Sequence, residues 1–366
     1  MPVVQEDILL IPGPTMIPPD VRAALAAPPI GHRSRQFAEM IEEITQGLRK
    51  VFKTEADVFV FTASGTGAME ASLVNMLSPG DRILVVSNGV FGERFISMAE
   101  AFGLQVDKVT FPFGNAADPD SVNSQLKRNP GAKAVIITHN ETSTGVTNDV
   151  APIAEIARKH GAISIVDSVS GLAAIDLKTD DWGLDVVVGG SQKAFMLPPG
   201  LSFISVSARA WEMHKSARLP RFYWDLTKMK DSLEKGQTPF TPNVCFFSGL
   251  RASLRRILEE GLERVFERHA KVADLTRNRV KALGFQLLAD EKHASNAVTA
   301  VKAPQGFDET DMRRYVQDRF GILLAGGQGD LKGKIFRIAH VGCVSEREIF
   351  AAIEAIETYL SSKAQG

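Results

Sequence analysis

The chain has 366 residues, 44% of them hydrophobic and 23% charged, with 42 Lys and Arg set against 43 Asp and Glu. That balance gives no support for a nucleic-acid or membrane-surface partner held by bulk charge, and two cysteines and seven scattered histidines outline neither a disulfide framework nor a metal cluster. The opening MPVVQEDILLIPGPT lacks the basic-then-apolar order of a secretory leader, and no apolar run is long enough to span a bilayer, so a soluble protein of a reducing, cytoplasmic compartment is expected.

In chain order, β-rich runs at 58–62, 83–86, 106–110, 134–138, 164–167, 186–189 and 203–206 alternate with helical patterns that include 68–76, 93–101, 119–126 and 150–160. Alternation of this kind predicts an α/β fold, with a mostly parallel seven-stranded sheet sandwiched by helices. After Pro242 the character changes. Residues 249–283 read as one long, charged amphipathic helix joining two domains, followed by a smaller α+β pattern: strand 297–301, helix 308–320, strand 335–341 and helix 346–360. The expected division is an N-terminal arm at 1–20, a large domain at 21–258 and a small C-terminal domain at 259–366.

Parallel sheets bind ligands outside the carboxyl ends of their strands, and several unusual residues fall there. In LDVVVGGSQKAFMLPPG, Lys193 follows a strand and precedes the apolar run Ala194–Leu197. Burial would depress its pKa and make it a usable amine nucleophile, although a lone lysine more often keeps its head in water. Asp167 ends the strand 164–167, where it is either a cap or salt-bridge aspartate or the partner of a ligand cation. The turn Ser64–Gly65–Thr66–Gly67 follows a strand and opens a helix, which suits a single phosphate group or a plain N-cap. Glu70 stands where a dinucleotide fingerprint needs its third glycine, Ile335 follows Gly333–Lys334 where a phosphate loop needs Ser or Thr, and Ser191 lies two residues before Lys193 rather than three. Phe91, on the loop SNGVFGER, is either loop packing or a platform for a flat ring.

A phosphate cradle, a strand-end carboxylate, a ring platform and a desolvated lysine together describe one cofactor, pyridoxal 5′-phosphate, whose aldehyde needs a lysine and whose pyridine nitrogen needs an acidic partner. The chain resembles the class V aminotransferases of the fold-type-I pyridoxal-phosphate enzymes, most closely the alanine–glyoxylate and serine–glyoxylate group. The matches run in order through LLIPGPT, SGTGAME, NGVFGER, HNETSTG, VDSVS, GSQKA and FRIAHVG. The resemblance implies that Lys193 carries the cofactor, that Asp167 pairs with its ring nitrogen and that Phe91 stacks on the ring. It implies phosphate contacts from Ser64, Gly65, Thr66 and Gln192, and places Thr142 near the phenolic oxygen. Thr238 and Thr241 in TPFT would reach the phosphate of a second subunit, which makes a homodimer with active sites at its interface. Family members often carry tyrosine where this chain has Thr238.

Arg337 shares one face of the strand 334–341 with Ile335, Ala339 and Val341, a setting that asks for an anion, either a protein carboxylate or a ligand. The resemblance makes it the arginine that holds the substrate α-carboxylate, with Gly13 in the arm above the substrate and His32 contributed by the other subunit. The expected reaction moves an amino group from alanine or serine to glyoxylate or pyruvate. Small donors are favoured because PGPT, HNETSTG and GGQG supply no second arginine. Rivals within the fold are an aspartate- or phosphonate-type transaminase and a cysteine desulfurase-like lyase, although neither Cys245 nor Cys343 lies where a mobile sulfur carrier is expected.

Overall fold

Seven short runs between residues 57 and 206, all but Gln105–Thr110 largely apolar, pair into one sheet in the computed structural model, which describes residues 7–364. Residues 1–6 of the expected arm lie outside that range. The strand order is Asp57–Phe61, Ser202–Val206, Val186–Gly190, Ile163–Asp167, Ala134–Thr138, Arg82–Ser87 and Gln105–Thr110. Ser202–Val206 runs antiparallel to both neighbours, and every other pairing is parallel. The sheet is covered on both faces. Phe59, Val85, Ile136, Ile165, Val188 and Ile204 pack into one apolar layer. Val58, Val86, Ile137, Val166, Val187 and Phe203 pack into the other, the alternation that a pleated strand imposes.

This register positions the site. Thr138 pairs with Asp167, and Asp167 with Val188, so three consecutive strands finish at one edge. The helix Gly65–Met76 begins just beyond Asp57–Phe61, and Val90–Ala101 just beyond Arg82–Ser87. Their N-termini therefore stand at that same edge.

A second sheet has the order Ile8–Leu10, Ile322–Gly326, Ile335–Ala339, Val298–Lys302 and Gln286–Leu287. Ile8–Leu10 joins it parallel to Ile322–Gly326, so the arm is a strand of the C-terminal sheet. The strand expected to run to 341 ends at Ala339. Beyond it His340 is held through its side chain by Thr299 and the Asn296 carbonyl. None of the helices among the described residues is long and apolar enough to cross a membrane.

The single helix expected at 249–283 is corrected to two, Val244–Glu260 and Leu262–Ala282, with Gly261 ending one and starting the other at φ 87°, ψ 130°. The apolar periodicity continues through the break, which is why the sequence reads as unbroken. The expected domain boundary at 258–259 lies in the last turn before it. Backbone of this kind is nearly closed to residues with a Cβ and costs them about 1–3 kcal/mol. Gly261→Ala is therefore expected to lower unfolding stability by that amount in a denaturant titration, with cofactor absorbance intact. An unchanged midpoint would show that the junction relaxes without strain.

Candidate active site

Lys193 sits in a tight loop that leaves the strand Val186–Gly190. Ser191 braces the loop by donating to the Pro198 carbonyl (2.8 Å) and accepting from the Leu201 N–H (3.2 Å). Met196 N–H returns to the Lys193 carbonyl at 3.0 Å. The lysine is 8% exposed. Burial first, and the Arg337 charge second, lower its pKa to about 8. The arm closes over it: Lys193 Nζ donates to the Pro12 carbonyl, and Thr15 Oγ1 donates to the Lys193 carbonyl at 2.9 Å. Gly13 adopts φ 142°, and a Cβ there would stand 3.0 Å from Nζ. Only glycine lets the arm lie this close.

Asp167 is 3% exposed at the end of its strand. Its Oδ1 accepts from the Val169 N–H at 2.9 Å, and among the described residues the carboxylate has no ion-pair partner. Burial raises its pKa to about 6. Phe91, Asn140, Thr142, Asp167, Val169, Ser170 and Lys193 line one cavity. Asp167, Lys193 and Phe91 are thus brought to one cavity.

The turn beside this cavity has the features of an anion cradle. Ser64 is the N-cap residue of Gly65–Met76 but makes no side-chain capping bond, so its hydroxyl remains available. The first N–H groups of a helix have no intrahelical acceptor. A Cβ on Gly65 would lie 2.8 Å from Val169, so the turn presses against the wall of the cavity. Gln192 Oε1 is buried with no hydrogen-bond partner among the described residues, and a Cβ on Gly190 would stand 3.1 Å from it. A phosphate held by N–H groups and hydroxyls, beside an amine and a carboxylate placed for an aldehyde and a ring nitrogen, fits these residues.

Arg337 is 5% exposed. Its Nε donates to the Gly326 carbonyl and its Nη1 to the Thr142 carbonyl, both at 2.9 Å. Among the described residues no carboxylate reaches it, which leaves the reading as an arginine paired within the protein without a partner. Burial lowers its pKa to about 10, opposed by the charge of Glu141. It therefore stays a cation with two carbonyls fixing its plane.

Three expected site residues lie elsewhere. Thr238 and Thr241 line a separate surface cavity with Thr62, Tyr223 and Phe240, and Thr238 Oγ1 donates to the Phe240 carbonyl at 2.8 Å. Arg33, next to His32, donates to Gln237 Oε1 and the Thr238 carbonyl, each at 2.7 Å, which ties the His32 loop to this segment. Within one chain these residues do not line the Lys193 cavity.

Two residues escaped the sequence reading. Glu141, fully buried, accepts from Phe91 N–H (3.0 Å) and Gly92 N–H (3.3 Å) through one oxygen and from Ser143 through the other. It thereby caps the helix Val90–Ala101 from a distant loop. Arg94, on that helix, donates to Thr66 Oγ1 at 3.2 Å. The motifs HNETSTG and NGVFGER contain both residues, but nothing in their spacing says that the two segments touch.

The family model for aminotransferase class-V matches residues 20–333. A Synechococcus protein named soluble hydrogenase, small subunit, is 46% identical over 97% of this chain and 93% of its own. The L-aspartate–glyoxylate aminotransferase of Paracoccus denitrificans is 39% identical over 96% of this chain and 91% of its own. Among solved structures, an alanine–glyoxylate aminotransferase from a Nostoc species has a TM-score of 0.95 at 29% identity, covering 98% of this chain and 97% of that one. The family match takes in the whole seven-stranded sheet and the residues that line the Lys193 cavity, so the chain belongs to the class V aminotransferases and depends, as they do, on pyridoxal 5′-phosphate.

Proposed function

We propose that the protein moves the amino group of a small amino acid, alanine or serine, to glyoxylate or another small 2-oxo acid, in two half-reactions with ping-pong kinetics. The observation that carries this reading is Arg337, a buried guanidinium with no carboxylate partner among the described residues, whose charge is felt at Lys193. An amino acid and its 2-oxo acid share a carboxylate next to the reacting carbon. One fixed clamp therefore serves both half-reactions. The two aminotransferase names above share glyoxylate as acceptor, and that common part is what we carry over to this chain. The donor reading rests on PGPT, HNETSTG and GGQG, which offer small or polar side chains and no further cation for a second carboxylate.

When bound, pyridoxal phosphate supplies the aldehyde that takes up the amino group and the ring that accepts the electron pair released at the substrate Cα. The chain's own residues do the rest. Lys193 would hold the cofactor and, as a free amine with a pKa of about 8, would move the proton from the substrate Cα. Asp167, an anion above about pH 6, keeps the ring nitrogen protonated. Phe91 supplies a ring face, and Ser64, Gly65, Thr66 and Gln192 take the phosphate. Thr142 is assigned to the phenolic oxygen, and Gly13 lets the arm exclude water above the amine.

The active unit in this reading is a homodimer in which Thr238, Thr241 and His32 act on the partner's site. Their clustering away from the Lys193 cavity supports this, as do Phe222 and Tyr223, 70% and 40% exposed, packed on Phe240 beside them. We assign the protein to the cytoplasm, which suits two unpaired cysteines.

Lys193→Ala is expected to lose the visible cofactor band. In the wild type, capture of added cofactor should accelerate as pH rises through about 8, because the unprotonated amine attacks. A band retained in the variant, trapped by borohydride on another lysine, would overturn the assignment. Asp167→Asn should keep the cofactor and lose most turnover, since an amide cannot hold the ring nitrogen protonated; near-normal turnover would make the carboxylate structural. Arg337→Lys should cost about 2–5 kcal/mol in kcat/KM for donor and acceptor alike. A loss confined to one acid would sink the shared clamp, and aspartate turned over well above alanine and serine would reverse the donor reading.

A further inference from the structure

Among the described residues Arg94 is a cation with no carboxylate at ion-pair distance, in a place where a charge matters. It lies three residues after Phe91 on the helix Val90–Ala101, on the same side of the first turns. Its guanidinium carbon is 4.6 Å from the Phe91 ring centroid, and its Nη1 donates to Thr66 Oγ1 at 3.2 Å. It makes no ion pair among the described residues. The neighbouring Glu93 turns away to accept from Ser87 Oγ at 2.6 Å. The two contacts of Arg94, Thr66 and Phe91, set it beside the cavity, and its charge is felt at both Asp167 and Lys193.

We infer that Arg94 is a cationic contact for the phosphate group of the cofactor. The inference rests on the pyridoxal-phosphate reading of the site. Both of the arginine's contacts, Thr66 in the helix-opening turn and Phe91 in the ring platform, belong to elements that face the cofactor. None of the groups that hold Arg337, the carbonyls of Thr142 and Gly326 and the Gln328 side chain, bonds to Arg94. The turn at Ser64–Thr66 offers N–H groups and hydroxyls, which orient a phosphate but leave its charge of nearly two units unmatched. A guanidinium presents a planar fork of donors with a permanent positive charge, and the Phe91 ring holds that plane in place. Arg94 thus supplies from within the chain the neutralisation that the helix N-terminus provides only in part.

The test measures cofactor affinity rather than turnover. Holoenzyme of the full chain and of Arg94→Gln and Arg94→Lys would be dialysed, then titrated with pyridoxal 5′-phosphate and, separately, with pyridoxal, following the visible band. Arg94→Gln is expected to weaken pyridoxal 5′-phosphate roughly tenfold to a hundredfold, the scale of a charge-assisted contact. Pyridoxal should bind within about twofold of wild type, Arg94→Lys should recover part of the loss, and added salt should weaken the wild type more than Arg94→Gln. Equal weakening of both ligands would mean that Arg94 acts only by holding Phe91, and would overturn the proposal. So would unchanged cofactor affinity with a raised KM for aspartate alone, which would make Arg94 the holder of a second substrate carboxylate. Should Arg94→Gln fail to fold by circular dichroism, Arg94→Lys carries the comparison, and cofactor affinity equal to wild type with a lost salt dependence would count against the assignment. Absence of cofactor binding by the wild type is a separate result, which would remove the pyridoxal-phosphate reading itself.

Discussion

A single buried carboxylate, that of Glu141, is the constraint on which the site's geometry depends. An anion removed from water is costly unless its oxygens are filled, and burial alone would push Glu141 strongly toward protonation. Here Phe91, Gly92 and Ser143 supply the donors, and the positive end of the helix Val90–Ala101 supplies field. These offset part of the burial, so that its pKa stands at about 7. The same stretch then turns its next carbonyl, that of Thr142, toward Arg337. Phe91 and Arg337, on elements far apart in the chain, are thereby held from two adjacent residues.

Around this anchor the chain collects Lys193, Asp167 and Arg337, each buried and none matched among the described residues by a charge at salt-bridge distance. Unpaired buried charges weaken a fold, and the two large apolar layers on either side of the central sheet carry that cost. In the proposed reading, what enters the cavity supplies the missing partners. A ring nitrogen matches the carboxylate, a carbonyl carbon matches the amine and an α-carboxylate matches the guanidinium. The same desolvation that shifts Lys193 down and Asp167 up brings both into the range where they change protonation near neutral pH.

Much of this could be read from the sequence, and the reasons for success and failure are physical. Parallel strands covered on both faces are short continuous apolar runs, so the stretch Ala134–Thr138 announces itself and its neighbours shift by only a residue or so. Lys193, Asp167 and Arg337 stand out because each interrupts such a run. Ile8–Leu10 and Ile322–Gly326 were not legible: one looks like part of an irregular arm, the other like an apolar tail after a helix, and only their pairing with each other makes them strands. Gly261 hid inside a helical period that resumes after it. Glu141 and Arg94 depend on contacts between segments roughly fifty or thirty residues apart, a relation that local pattern does not encode. For Thr238, Thr241 and His32 no local signal exists, and resemblance alone singled them out.

The arm also fixes a distance. Ile8–Leu10 is hydrogen-bonded into the sheet that carries Arg337, with Ile322–Gly326 as the strand between them. Two residues later the Pro12 carbonyl holds the Lys193 amine, which belongs to the other sheet. Arg337 and the Lys193 amine are therefore linked not only by packing but through the arm, whose few residues of backbone run from the pairing with Ile322–Gly326 to the hydrogen bond at Pro12. A displacement of the C-terminal sheet away from the large one must pull that carbonyl off the lysine as it carries the guanidinium away. Opening the cleft and freeing the amine are in this way one mechanical event, geared through a few residues of backbone.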